Sequence, residues 1–223
     1  MRVFFIVQWS YYLSLLLSCT LTGFLSVRKS WSLEYKLLVI LSSLTFLSES
    51  ACFLFIGLRI PFLWIQNLFT PVECTFILYI LRKASVRPVF KRLHAVLLIL
   101  LPIGIGVIYG LLPAFFKLDD FAALFYLFLE LIAACTFLVD ILLNKSDTPL
   151  GRQPLAWMAS GMVFYCSIYA VMTAVTSFIA EIPLLYKLLY STVANTFIYA
   201  GFIACFICLR RARGGGMPAV VDL

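Results

Sequence analysis

The sequence predicts an all-α integral membrane protein, a bundle of seven transmembrane helices with the N-terminus outside and the C-terminus cytoplasmic. Three observations predict it. First, of the 223 residues 64% are apolar and 12% charged, and the mean hydropathy is +1.07, whereas about one quarter of a soluble domain is charged. Second, seven apolar runs bounded by charge or proline each approach the roughly 20 residues that cross a bilayer. Third, the basic residues divide unevenly between the two sets of connections. Arg28, Lys29, Lys36, Arg82, Lys83, Arg87, Lys91, Arg92, Lys145, Arg152, Arg210, Arg211 and Arg213 fall on one side, leaving Arg2, Arg59, Lys117 and Lys187 on the other. Excess Lys and Arg mark the cytoplasmic side. The same distribution accounts for the net charge of +7 through topology, so no nucleic-acid partner is expected.

The runs cover about 3–27, 37–58, 61–81, 94–115, 121–143, 155–180 and 184–209. Together they make residues 1–209 one transmembrane domain. Its start imitates a signal peptide, but the first run continues to Val27 without a small-residue cleavage site before charge, which suits a first membrane helix. Short connections without alternating polarity exclude a closed barrel, so the backbone must satisfy itself in helices. The basic loop 82–94 is the longest on the cytoplasmic side, and Pro88 argues against one uninterrupted helix through it. It serves as a topology anchor in contact with lipid head groups, or as the docking point of a cytoplasmic signalling partner. Gly104, Gly106 and Gly110 beside Pro102 permit close helix approach or a kink in the fourth run. Residues 210–223 form a short basic, Gly-rich cytoplasmic tail, too short for an output domain.

The third run poses a burial problem. Glu73 lies roughly 18 Å below a helix start at Pro61, near the middle of a hydrocarbon core about 30 Å thick. An ionised carboxylate there costs at least roughly 3 kcal/mol, so Glu73 must be protonated, paired or turned toward a polar cavity. Glu49 on the second run and Glu130 on the fifth reach comparable depth. Helical steps of three and four place Ser42, Thr45, Glu49 and Cys52 on one face, and Gln66, Thr70 and Glu73 on another. Trp157, Gly161, Tyr165, Tyr169 and Thr173 recur every four residues on the sixth run, as do Lys187, Ser191, Asn195 and Tyr199 on the seventh. The economical arrangement turns these faces toward one another.

The candidate ligand-binding or proton-sharing residues are therefore Glu49, Gln66, Thr70, Glu73, Glu130, Tyr165, Tyr169, Ser191 and Asn195, with Arg59 and Lys187 in an outer vestibule. Three acids without a basic residue at their depth cannot comfortably all ionise, so at least one holds a proton or a cationic ligand enters from outside. The competing reading is interhelical hydrogen bonding that only holds the bundle together, at about 0.6–2 kcal/mol per bond. No catalytic residue, cofactor or metal site is expected. His94 is the sole histidine, and Cys205 and Cys208 form a lone CxxC inside a membrane run. The seven cysteines all fall within runs, so no disulfide framework is legible.

Four stretches carry a resemblance: LWIQNLFTPVECTFILYIL at 63–81, FLELIAACTFLVDILL at 128–143, WMASGMVFYCSIY at 157–169 and LYSTVANTFIYAGF at 189–202. In these the chain resembles small seven-helix inner-membrane proteins of Bacteroidota, similar to seven-helix regions associated with sensor histidine kinases. The resemblance implies a sensory or regulatory bundle in a bacterial inner membrane, and Glu73, Glu130, Trp157 and Asn195 as its polar positions. The function expected is a sensor or receptor-like protein that binds a small ligand or cation in an intramembrane cavity and signals through a separate partner. A small-solute or proton-coupled transporter using the glutamates is the alternative, and an intramembrane lipid-modifying enzyme the third.

Overall fold

The computed structural model describes residues 2–26, 31–58, 60–61, 63–111, 120–144, 149–178 and 184–214. They form α1 (Arg2–Ser26), α2 (Leu33–Gly57), α3 (Leu63–Ala84), α4 (Pro88–Leu111), α5 (Asp120–Leu143), a single 3-10 turn (Leu150–Arg152), α6 (Pro154–Phe178) and α7 (Leu184–Gly214). No strand occurs among the described residues. Five helices carry stretches long and apolar enough to cross a membrane, at 33–56, 88–108, 122–143, 154–175 and 189–211. The protein is thus a multi-pass helical membrane protein whose outer faces meet lipid. α1 and α3, which carry more hydroxyl, amide or charged side chains, pack beside these five. Ser14 and Ser18, exposed, and Thr22, half-buried, on α1 satisfy themselves by donating to the carbonyls of Ser10, Ser14 and Ser18 at 2.6–2.8 Å, the usual solution for a hydroxyl in an apolar setting.

Helix contacts define a ring. α1 packs on α2 and α7, α2 on α3, α3 on α5, α5 on α6, and α6 on α7. α4 touches α3 and α5 and stands outside the ring across their junction. Its inward face is His94, Leu97 and Leu101, all buried, at helical steps of three and four. Two glycines set the closest approach. A Cβ on Gly161 would sit 2.7 Å from the Phe197 carbonyl oxygen, and one on Gly201 would sit 2.8 Å from that of Trp157. α6 and α7 therefore meet backbone to backbone, as small residues allow in membrane bundles. The glycines of α4 behave differently: Gly104 accommodates the ring of Phe125, and Gly106 faces open space.

The basic connection departs from expectation. α3 continues through Arg82 and Lys83 to Ala84, and α4 begins at Pro88, so only residues 85–87 link them in place of a loop over 82–94. Proline suits a first helical position because its missing N–H would be unpaired there anyway. The turn is fixed by side chains. Asp140 of α5 accepts from the backbone N–H of Val86 at 2.7 Å and of Arg87 at 3.3 Å, while the Arg87 guanidinium donates to the Leu143 carbonyl. His94 is fully buried, with Nε2 3.1 Å from both the Ala133 carbonyl and Thr136 Oγ1, and Nδ1 3.1 Å from Ser85 Oγ. A carbonyl can only accept, so Nε2 carries the hydrogen. At the other terminus α7 extends through Arg210 and Arg211 to Gly214, into residues the sequence assigns to the tail.

Candidate functional site

Depth along each helix decides which polar side chains can meet. Counted from the end of the bundle opposite the basic residues, Tyr12, Glu49, Glu73, Glu130, Tyr169, Ser191, Asn195 and Tyr165 lie roughly 10–20 Å deep at 1.5 Å per residue. All six ring helices thus contribute to one level. At this level Ser191 is a hydrogen-bond hub. Tyr12 of α1 donates to its Oγ at 3.0 Å, Tyr169 of α6 pairs with it at 2.9 Å, and Asn195 Nδ2 donates to it at 3.4 Å. A serine oxygen accepts two bonds and donates one, so one hydroxyl joins α1, α6 and α7.

The carboxylates form the other side of the level. Glu73 lies within electrostatic reach of Glu49, and Glu130 within reach of Glu73. Glu130 is 5% exposed, and the Cys166 thiol donates to its Oε2 at 3.9 Å. Cys74 bonds the same carboxyl from α3. Tyr165 lies within electrostatic reach of both Glu73 and Glu130, and Tyr199 within reach of Glu49 and Glu73. Tyr169 stands between the two sides, close to Glu49 and bonded to Ser191 and Asn195. The tyrosine rings of 165 and 169 lie with centroids 4.9 Å apart.

Toward the basic end this level rests on close-packed apolar side chains. Leu16, Leu38, Leu41, Ile77, Leu81, Met158, Met162, Phe202 and Phe206 are each less than 2% exposed, or 2% for Phe202. Toward the opposite end, in the first two turns, buried side chains among the described residues are few: Cys52, Asn67, Ala122 and Tyr126. The level is closed by close packing on the basic side.

Of the residues named from sequence, Glu49, Glu73, Glu130, Tyr165, Tyr169, Ser191 and Asn195 come together. Gln66 and Thr70 sit above Glu73 on α3, partly buried, and the Thr70 hydroxyl donates to the Gln66 carbonyl at 2.9 Å. Its hydrogen is therefore used within the helix. Asn67, not Gln66, is the buried amide, one residue round the helix from the expected face. Arg59 lies outside the described residues, and so does the side chain of Lys187. Trp157 does not join the level: it is exposed near the basic end and its indole N–H donates to the Gly151 carbonyl at 2.9 Å.

Tyr12, Cys74 and Cys166 take part without having been singled out. Tyr12 was legible in its helical register with buried Leu16 and Cys19, a phenol on the inward stripe of an otherwise apolar helix. The cysteines carry no sequence signal, since a buried thiol most often packs as a small apolar group. A lipid-side groove of about 370 Å³ between α5 and α6 is lined by Leu124, Phe125, Leu127, Phe128, Leu131 and Ala170 and includes none of the candidate residues. No protein-family model, curated protein or solved structure matches the chain.

Proposed function

We propose that the chain is a seven-span sensor or receptor-like protein of a bacterial inner membrane, with its N-terminus outside. Its polar level takes up a small cation or cationic ligand from the outer side, and its basic end contacts a separate cytoplasmic signalling partner. The single observation that carries this reading is the position of the carboxylate and phenol level directly above a fully buried apolar half. A binding protein needs access from one side, whereas a carrier needs it from both in turn. Three acids, with Glu73 within reach of both Glu49 and Glu130, supply the charge for a cation, and Tyr165, Tyr169 and Tyr199 supply ring faces that favour one. Ligand-dependent repacking would reach the partner through α6 and α7, whose contact at Gly161 and Gly201 makes them move as a pair.

A proton-coupled transporter is the second reading, favoured by the prolines inside α3 and α4 at Pro71 and Pro102. Both free a carbonyl one turn earlier and ease bending. Two measurements separate the readings. Trp9 packs on Tyr12 and Phe53 with centroids 6.3 and 5.9 Å apart, so its fluorescence reports on the polar level. Titrating the protein in nanodiscs with sodium, potassium and choline is expected to shift that fluorescence with at least one of them, and Glu73→Gln to remove the shift. In proteoliposomes no proton flux is expected; flux abolished by Glu73→Gln would establish the transporter instead.

A further inference from the structure

We propose that the corner between α3 and α4 holds the headgroup of an anionic phospholipid whose acyl chains lie along the outer face of α4. This goes beyond the sensor reading and does not rest on it. α4 stands outside the ring, and Val89, Val96, Ile99, Ile103 and Val107 on it are 71, 50, 62, 56 and 52% exposed. Their steps of three, four and seven define one face. Arg92 follows Val89 by three residues and precedes Val96 by four, so this exposed cation belongs to the same stripe. Arg82, Lys83, Arg87 and Lys91, all exposed, stand around the same turn.

The corner is pre-ordered and its charge is not neutralised from within. Asp140, the carboxyl at this turn, is 1% exposed and engaged by the backbone N–H groups of Val86 and Arg87. His94 and Ser85 bind the two helices together behind it. A soluble acidic protein could meet Lys91 and Arg92 but not the stripe that continues from them into the bilayer. A phospholipid meets both, and a net negative one is selected because five exposed cations flank this turn, Arg87 among them with its guanidinium on the Leu143 carbonyl. Each cation at a membrane surface favours an anionic lipid roughly fivefold.

Native mass spectrometry of the full chain, equilibrated in mild detergent with equal phosphatidylglycerol and phosphatidylcholine, tests this. Preferential retention of phosphatidylglycerol is expected, falling at least roughly tenfold in Lys91→Gln/Arg92→Gln and persisting in Arg152→Gln/Arg210→Gln, which removes equal charge elsewhere on the same end. In the unaltered chain, sodium chloride at about 0.5 M should weaken the preference, a measurement that needs no variant to fold. Equal retention of both lipids, a preference indifferent to salt, or the same loss in both double variants would overturn the proposal.

Discussion

The two halves of the bundle are built by different chemistry. The basic half is apolar inside and stapled at its margin by His94 and Asp140; the opposite half carries its polar groups at one level. In a bilayer, lipid is as apolar as leucine, so the closed half is held by close packing and the glycine contact of α6 with α7. The polar level is held by hydrogen bonds that exclude no apolar surface. Stability therefore resides in the half with no carboxylate at its centre. That division is what a receptor requires, because a ligand can shift only an element that has another arrangement within reach.

The comparison can be broken most easily where the effect is largest. Phe206→Ala removes a fully buried ring and is expected to lower stability by about 3–5 kcal/mol, read by denaturant unfolding in micelles. Gly201→Ala drives a methyl toward the Trp157 carbonyl and should cost about 1–3 kcal/mol, visible as a lower midpoint in the same titration. Ser191→Ala removes the hub of the polar level and should cost less, about 0.6–2 kcal/mol, while raising hydrogen exchange in α1 near Tyr12. Glu73→Gln keeps the side-chain shape and should change stability by under about 1 kcal/mol, yet abolish the cation-dependent Trp9 fluorescence. If Ser191→Ala proved more damaging than Phe206→Ala, the assignment of stability to the basic half would be wrong.

Much of this was legible in the sequence because lipid imposes few solutions. Apolar run length fixed the helices near their observed places, and the three-and-four spacing of Ser42, Thr45 and Glu49 already put one inward face on α2. The departures have local causes. Pro88 reads as a break, but as a first helical residue it starts α4 six residues before the expected 94. His94 and Asp140 look like loop-side polar residues until Ser85, Thr136 and the backbone of Val86 are brought beside them by tertiary packing. Gly106, read from sequence as a site of close helix approach, faces open space, and Gly161 and Gly201 make such a contact, which glycines 40 residues apart do not announce as a pattern. Neither Cys74 nor Cys166 announces that its thiol will reach Glu130.

The proposed one-sided access to the carboxylate level is most directly tested with Thr70→Cys in a chain whose seven native cysteines are replaced. Thr70 is partly buried one turn above Glu73. A membrane-impermeant maleimide is added to oriented vesicles from one side or the other. The account predicts modification from the side opposite Arg82 and Arg92 and none from theirs; modification from the basic side, or from neither, would contradict it.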